Sequence, residues 1–184
     1  MHIDIRFAGK EDAELIADLS RETFYNTFAS QNKAEDMEKF MSEQFTKEAL
    51  MKEAGAEGNI FLLALIDDEP AGYVKLREGR LRPELDNKPC LEIARIYVIS
   101  KMIGKGVGGV LMQKCIAIGL EKNKELLWLG VWKENRVAID FYKRWGFEIF
   151  GEQDFLLGND LQKDWLMMRR VSGFEGLRVE GLKV

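Results

Sequence analysis

The stretch "SKMIGKGVGGVLM", residues 100–112, places glycines at positions 104, 106, 108 and 109, at the start of a predicted helix. The preceding segment "PCLEIARIYVIS" predicts a strand, and "VLMQKCIAIGLEKNKE" has the apolar spacing of a helix. Because a glycine inside a helix costs about 1 kcal/mol relative to alanine, the cluster needs a compensating role. Glycine lets the main chain approach a phosphate closely, and a helix N-terminus favours negative charge. The stretch therefore predicts an anion site at a strand-to-helix turn.

Three interpretations of the glycine cluster follow from the motif alone. A dinucleotide fingerprint requires GxGxxG, but the spacing here is GxGxGG and no acidic residue ends the next strand, "ELLWLGVW". A P-loop ends in GK[ST], which "GKGVGG" lacks. The third interpretation is a flexible loop that binds nothing. The spacing disfavours the first two, and the rest of the sequence argues against the third.

Composition and charge indicate a globular chain. The 184 residues are 46% hydrophobic and 32% charged, which is sufficient for a core of ordinary size. The longest apolar run, residues 60–66, is far shorter than the roughly 20 residues of a membrane helix, and the first residues lack the pattern of a secretion signal. We therefore expect a cytoplasmic protein with no membrane partner. The net charge of −4 disfavours direct binding to nucleic acid, which depends on Lys and Arg at phosphates.

Cysteine and histidine are too scarce for several kinds of site. Cys90 and Cys115 form no CxxC pair and fit a reducing compartment. The only histidine is His2, close to the amino terminus, which argues against a hydrolase triad and against zinc chemistry. We therefore predict no metal site.

The order of predicted elements is that of an α/β fold with a mixed sheet. A strand precedes the amphipathic helix "KEDAELIADLSRETFYNTFA" and two short helices, and a hairpin follows in "NIFLLALIDDEPAGYVKLREG". After the strand, glycine turn and helix of the opening stretch come the strand "ELLWLGVW", the helix "NRVAIDFYKRWG" and two extended runs. No repeat or long linker divides the chain, so we expect residues 1–172 to form a single domain and 173–184 a C-terminal tail.

From residue 91 onward the sequence resembles the GNAT superfamily of acyl-CoA-dependent N-acetyltransferases. "LEIARIYVISKMIGKGVGGVLM" is similar to that family's fourth strand and pyrophosphate loop, whose pattern is [RQ]xxGx[GA], and "WLGVWKENRVAIDFYKRWGF" to its fifth strand and following helix. With "ETFYNTF", "AIDFYKRWGFEIFGE" and "FLLGNDLQKDWLMMRR", the resemblance extends over residues 3–170 to the bacterial PaiA-type spermidine/spermine N-acetyltransferases. It implies a mixed, mostly antiparallel sheet of about seven strands with helices on both faces, splayed between the fourth and fifth strands.

The resemblance implies acetyl-CoA as the cosubstrate. Backbone amides of the loop would bind its pyrophosphate, the fourth strand its pantetheine arm, and two basic side chains its phosphates or nucleotide end. The residues concerned are Ile96, Tyr97, Val98, Gly104, Lys105, Gly106, Val107, Gly108, Gly109, Asn135 and Arg144. Asn135 is also in position to cap the following helix. Ile103 departs from the family pattern, because glutamine or arginine is usual there.

By the same resemblance, an amine attacks the thioester directly, without an acyl-enzyme. Tyr142 takes the position of the proton donor to the leaving thiolate, with core packing as the alternative role. Relatives often carry a glutamate before "RIYV", where this chain has Ala94. Glu92, two residues earlier, is the candidate base, directly or through water, and a charged strand residue facing solvent is the alternative.

The expected acceptor is a primary amine, with spermidine or spermine first. Its candidate contacts are Glu22, Tyr25 and Asn26, and further negative charge comes from Asp67, Asp68, Glu152 and Asp154. A channel lined by carboxylates would suit a polyamine cation. Other amines, such as an amino acid, an antibiotic or a protein amino terminus, stay open, as does a CoA-binding regulatory module without turnover. A homodimer is kept as a hypothesis for the oligomeric state.

Overall fold

The computed structural model describes residues 2–172, which form one seven-stranded sheet flanked by helices. The tail expected at 173–184 lies outside the described residues. In chain order the elements are β1 (Asp4–Ala8), α1 (Ala13–Phe28), α2 (Ala34–Lys39), α3 (Lys47–Met51), β2 (Asn59–Ile66), β3 (Glu69–Arg77), β4 (Cys90–Val98), α4 (Val107–Glu121), β5 (Leu126–Trp132), α5 (Arg136–Arg144), β6 (Glu148–Leu157) and β7 (Asp160–Arg170). Within residues 2–172, no helix combines the length and apolarity needed to cross a bilayer. The arrangement confirms the predicted α/β class.

The sheet is interrupted at its centre. Its order is β1-β2-β3-β4-β5-β7-β6, and every neighbouring pair is antiparallel except the parallel pair β4 and β5. That parallel pair joins only residues 90–92 to residues 126–128. Ala94, just beyond, is an extra residue in β4, because Ile93 and Arg95 pair with adjacent residues of β3. A bulge bends its strand, so β4 turns away from β5 and the predicted splay is present.

Helices cover both faces of the sheet, as predicted. In β2, Leu62 and Ala64 pack in the same core as the buried side chains of α4 and α5, whereas Phe61 and Leu63 pack with Ile16 of α1. Successive strand residues point to opposite faces, so one continuous apolar run supplies both cores. The helices α4 and α5 therefore share one face, and α1 lies on the other.

Glycine is required where the chain enters α4. Gly104 has φ +81° and Gly106, the N-cap of the helix, has φ +86°. Left-handed backbone of this kind is adopted by glycine without a steric penalty. Gly104 and Gly106 therefore form a left-handed turn before the helix, whereas Gly108 and Gly109 lie in its first turn.

The β6–β7 turn docks on α2 at the edge of the sheet. Gly158 has φ +63°, and a Cβ built there would lie 2.5 Å from the carbonyl oxygen of Asp36. The backbone N–H of Asn159 donates to Asp36 Oδ1 at 2.8 Å. This close approach fixes α2 against the last hairpin.

We expect Gly158→Ala to lower the free energy of unfolding by about 2–4 kcal/mol, measured by urea denaturation. The left-handed backbone costs alanine about 1–2 kcal/mol, and overpacking against Asp36 adds about 1–3 kcal/mol. Gly79→Ala is the matched control, because Gly79 has φ +77° and a Cβ built there would have nothing within 4 Å. It should show only the backbone cost, and equal losses for the two variants would mean that the turn can move away from α2.

Candidate active site

A cleft of about 840 Å³ lies along the opening between β4 and β5 and is lined from both faces of the sheet. We call the part lined by the glycine turn, α4 and α5 the α4–α5 side. We call the part lined by α1, the segment after α2, β6 and β7 the α1 side. Because the two strands part here, one cavity reaches both sides of the sheet.

The glycine turn presents backbone amides to the α4–α5 side. The glycines that line the cleft are Gly104, Gly106, Gly108 and Gly109. The first hydrogen bond of α4 runs from the N–H of Val110 to the carbonyl of Gly106, at 3.2 Å. The amides of residues 107–109 therefore have no intrahelical acceptor. Together with the helix dipole, such amides bind anions.

The other residues predicted for this side differ in how they reach the cleft. Asn135 lines it and caps α5 by accepting a hydrogen bond from the N–H of Ala138 at 3.2 Å, which confirms the predicted cap. Arg144 is exposed and also lines the cleft. Lys105 is exposed but not among the lining residues. Val107 is 1% exposed within the core, so only its main chain can serve a ligand.

Beyond its bulge, β4 offers a backbone edge to the cleft. Ile96, Tyr97 and Val98, which the sequence predicts to contact the cofactor, all line it. They pair with β3 on one side, whereas the pairing with β5 has already ended. A strand edge with hydrogen-bonding groups on one side can bind an extended ligand as an added strand.

Tyr142 lies on α5, where it borders both the core and the cleft. Its side chain is 8% exposed and packs 5.6 Å from the ring of Phe141 and 5.8 Å from that of Phe147, between ring centroids. Burial raises the pKa of the Tyr142 hydroxyl, and nearby Cys115 adds to this. The hydroxyl therefore stays protonated near neutral pH.

Glu92 borders the cleft at the last β4–β5 pair, where it forms an ion pair. Its carboxylate accepts two hydrogen bonds from Arg77, at 2.8 Å from Nε and 3.1 Å from Nη2. Arg80 Nε lies 3.9 Å from the same carboxylate. Both oxygens of Glu92 are thus engaged by a guanidinium, and its role as the base stays a prediction.

The residues predicted to contact the acceptor lie on the outer face of α1. Glu22, Tyr25 and Asn26 are not among the lining residues. Phe24 and Phe28, on the adjacent face of the same helix, line the cleft instead. The acidic residues predicted to add charge are also elsewhere: none of Asp67, Asp68, Glu152 and Asp154 lines the cleft. Asp154 and Glu152 instead pair with lysines.

An aromatic wall on the α1 side is absent from the sequence-based prediction. Phe28 meets Trp132 of β5 edge-on, with ring centroids 6.0 Å apart, and Phe24 stacks on Phe40 at 4.7 Å. Phe45 and Phe155 complete the wall. The i, i+4 spacing of Phe24 and Phe28 was visible in the sequence, but it predicts only an amphipathic helix.

A buried charge cluster supports the β4 wall. Glu53 accepts hydrogen bonds from Arg95 at 2.6 and 3.0 Å and pairs with Lys75 Nζ at 3.0 Å. Burial acts to raise the pKa of Glu53, but the two cations outweigh it and the net shift is downward. Burial, with Arg95 nearby, lowers the pKa of Lys75 to about 8. Arg95 itself lines the cleft, 5.0 Å from the ring centre of Phe45.

Three polar residues of the last hairpin, Gln153, Gln162 and Asp164, also line the α1 side, and sequence analysis did not identify them. Asp164 is 8% exposed and shares its strand face with Leu166, which is 1% exposed. A carboxylate on the buried face of a predicted strand is the signal that could have found it. Among the lining residues of the described chain, the arginines are Arg77, Arg80, Arg95 and Arg144, and the carboxylates are Glu92 and Asp164. Residues 2–172 contain no cluster of three or more His, Cys, Asp or Glu side chains arranged to hold a metal ion.

Comparisons with known proteins agree with this geometry. The model of the acetyltransferase (GNAT) family matches residues 15–147, which include the glycine turn and α5. An uncharacterized N-acetyltransferase of Lactobacillus delbrueckii subsp. lactis is 37% identical over 165 residues, covering 90% of this chain and 95% of the relative. A Thermoplasma acidophilum protein named spermidine N(1)-acetyltransferase is 28% identical over 153 residues, covering 81% and 90%.

The fold is similar to that of a PaiA N-acetyltransferase from Thermoplasma acidophilum, whose crystal structure is a complex with coenzyme A. The TM-score is 0.71 at 24% identity, and the match covers 92% of this chain and 99% of the other. An N-acetyltransferase from Rhodopseudomonas palustris related to GCN5 has a TM-score of 0.73 at 16% identity, with 92% and 96% covered. At these identities the likeness concerns the fold, including the sheet and its flanking helices.

Proposed function

Because the chain belongs to the acetyltransferase (GNAT) family, we propose that acetyl-CoA binds on the α4–α5 side of the cleft and that an amine enters from the α1 side. Membership of this family makes the protein an N-acetyltransferase. The opening between β4 and β5 carries the proposal, because it joins the anion-binding turn to a separate aromatic wall in one cavity. When bound, acetyl-CoA supplies a thioester that an unprotonated amine attacks directly.

On the α4–α5 side, main-chain groups do most of the proposed binding. The amides of Gly104 and of residues 106–109 would hold the pyrophosphate, whereas the amide of Lys105 donates to the carbonyl of Met102. The backbone edge of Ile96–Val98 would pair with the amide groups of the pantetheine arm. Asn135 and Arg144 add side-chain donors, and Lys105 adds positive charge from the surface. The side chain of Ile103 is 66% exposed and has no hydrogen-bond donor. The backbone amides must therefore replace the phosphate contact that a glutamine or arginine side chain would make at this position.

Tyr142 is the proposed proton donor to the leaving thiolate. Burial raises the pKa of its hydroxyl, which therefore stays protonated. Tyr142 lines the cleft near α4, which suits a residue that contacts the thioester of acetyl-CoA. Such a donor contributes about 10²–10⁴-fold to a rate. Glu92 is the base that the sequence predicts, and its ion pair with Arg77 requires that partner to release one oxygen.

For the acceptor, we propose a primary amine and place polyamines first. The Thermoplasma relative named spermidine N(1)-acetyltransferase supports this choice. The aromatic wall would cover the methylene chain of such a ligand and attract its ammonium groups. Glu22, Tyr25 and Asn26, on the outer surface of the helix that borders the cleft, would then meet the distal end of the polyamine.

A second acceptor class is favoured by the arginines on the α1 side. Arg77, Arg80 and Arg95 line the cleft there. The side chain of Arg80 is 55% exposed, and its one ion-pair contact within residues 2–172 is with Glu92 at 3.9 Å. A guanidinium binds carboxylates well, so an amine that also carries a carboxylate, such as an amino acid, suits this wall.

The test of function is free-thiol release from acetyl-CoA with spermidine, spermine, amino acids, an aminoglycoside and a peptide as acceptors. Saturable release with spermidine or spermine supports the polyamine, and saturable release with amino acids alone supports the second class. Tight acetyl-CoA binding without release for any amine contradicts the proposed enzyme activity and favours a regulatory CoA-binding module.

We expect Tyr142→Phe to lower kcat by about 100-fold and to change the Kd for acetyl-CoA by less than about twofold, because only the proton donor is lost. Thiol release gives kcat, and calorimetric titration gives Kd. Tyr73→Phe is the control, since it removes a buried hydroxyl from the opposite face of the sheet, away from the cleft lining. Equal losses in kcat and affinity for Tyr142→Phe would contradict the donor role.

We expect Gly106→Val to weaken acetyl-CoA binding by at least about tenfold. A Cβ built at Gly106 would meet no protein atom within 4 Å, but φ +86° is unfavourable for a β-branched residue, so the amides of the turn must move. Gly79→Val imposes a similar strain at a turn outside the cleft lining. An unchanged Kd for Gly106→Val, with normal unfolding, would disprove the assignment of the turn.

A further inference from the structure

Asp164 is a buried carboxylate on the α1 side of the cleft, close to the opening between β4 and β5. It pairs across the strands with Trp132 of β5 and Gln153 of β6, and it is 8% exposed. The strand β5 borders the opening on one side, so Asp164 lies one strand away from the splay. Its side chain lines the cleft together with that of Gln153.

The two carboxylates that line the cleft within residues 2–172 have different partners. Glu92 is held by two hydrogen bonds from Arg77. Asp164 takes part in no ion pair among the described residues, and the partner identified for its carboxylate is the neutral amide of Gln153. A buried carboxylate without a cation is costly unless a ligand supplies one, so Asp164 is the carboxylate prepared to receive an ammonium group.

A glycine in the neighbouring strand β5 leaves space for this carboxylate and for Gln153. Gly130 lies in the middle of β5 and pairs with Leu166 of β7, two residues along the strand from Asp164. A Cβ built at Gly130 would lie 2.9 Å from Gln153 Nε2 and 3.5 Å from Asp164 Oδ2. Any larger residue would push the Gln153 amide away from its place beside the carboxylate. A glycine in a strand interior weakens the strand, and here it preserves a polar pocket at the cleft.

We infer that Asp164 binds the acceptor amine and accepts its proton, with Gln153 positioning the carboxylate. This inference rests on the proposed acetyl transfer to an amine. Burial raises the pKa of Asp164, which makes its carboxylate a stronger base, and the Gln153 hydrogen bond opposes that shift. On β4, Tyr97 and Arg95 line the same cleft as Asp164. Burial raises the pKa of Tyr97, the charges of Tyr73, Tyr142 and Asp164 add to that rise, and Arg95 opposes it.

Acetyl transfer to the ammonium form of the amine removes two protons from its nitrogen. One N–H bond of the ammonium group breaks, and its proton goes to Asp164. The freed nitrogen lone pair forms the N–C bond to the acetyl group, and the C–S bond breaks with its electrons on sulfur. The thiolate takes the proton of Tyr142, and the second proton lost from nitrogen restores the tyrosine. The proton on Asp164 leaves to water, so each turnover yields the amide, the thiol and one proton.

The test compares Asp164→Asn with the unaltered protein across pH, using the most active amine of the acceptor panel. We expect kcat/KM for the amine to fall by about 100-fold at pH 7, because the base is lost. The rate of the variant should then rise about tenfold per pH unit towards the pKa of the free amine, about 10.4, whereas the unaltered protein reaches a plateau earlier. The Kd for acetyl-CoA should change by less than about twofold.

Asp154→Asn is the matched control, since Asp154 lies on the neighbouring strand, pairs with Lys163 and does not line the cleft. It should keep the activity within about twofold. Gln153→Leu is a second variant that keeps the carboxylate. It removes a hydrogen bond that favours the ionised form, so the acidic limb of the pH profile should shift to higher pH.

The outcomes separate this inference from the proposed function. An Asp164→Asn profile that matches the unaltered protein overturns the inference and leaves acetyl transfer standing. If the acidic limb of the pH profile disappears in Glu92→Gln but not in Asp164→Asn, the inference is also overturned, and Glu92 is the base. If Asp164→Asn does not fold, an unshifted limb in Gln153→Leu overturns it. An unaltered protein that binds acetyl-CoA but acetylates no amine overturns the proposed function and this inference together.

Discussion

The early end of the β4–β5 pairing determines what the rest of the structure can do. Three residue pairs join the two strands, and the bulge at Ala94 then bends β4 away. If the ladder continued, the backbone groups of residues 96–98 would be satisfied within the sheet, and the two faces would be sealed from each other. Because it stops, a ligand on one face can meet a ligand on the other through the sheet. The helices, the turn and the aromatic wall are arranged around that gap.

Most of the fold was readable from the sequence, and so were several of the residues that line one side of the cleft. Apolar runs separated by turn residues identified the strands, and the glycine cluster identified the turn before α4, because both signals are local. Asn135 was predictable as a cap for the same reason. The residues that line the α1 side were not predictable, because Phe24, Arg77 and Asp164 come from three distant segments that only the tertiary structure brings together. Glu22 and Tyr25 lie on the correct helix but on its outer face, a distinction that needs the neighbouring elements.

The two sides of the cleft also differ in electrostatic design. The α4–α5 side relies on uncharged main-chain donors and a helix dipole, which suit a ligand with concentrated negative charge. On the α1 side, charged side chains are mostly neutralised by one another, as in the pairs of Glu92 with Arg77 and Glu53 with Arg95. Paired charges make a rigid wall with little net field. In our proposal Asp164, which forms no ion pair among residues 2–172, is therefore the group whose charge acts most strongly on a small amine.

The division between main chain and side chains has an evolutionary consequence. A site made of backbone amides changes little when residues are substituted, provided that the glycines keep the turn. A wall made of side chains from α1, β3, β4, β6 and β7 can be altered one residue at a time without disturbing the other face. The two sides of the cleft can therefore vary separately while the fold is kept, and the two similar solved structures share this fold at 24% identity or less. The gap in the sheet thus lies between a wall made largely of main chain and a wall that side-chain substitutions can reshape.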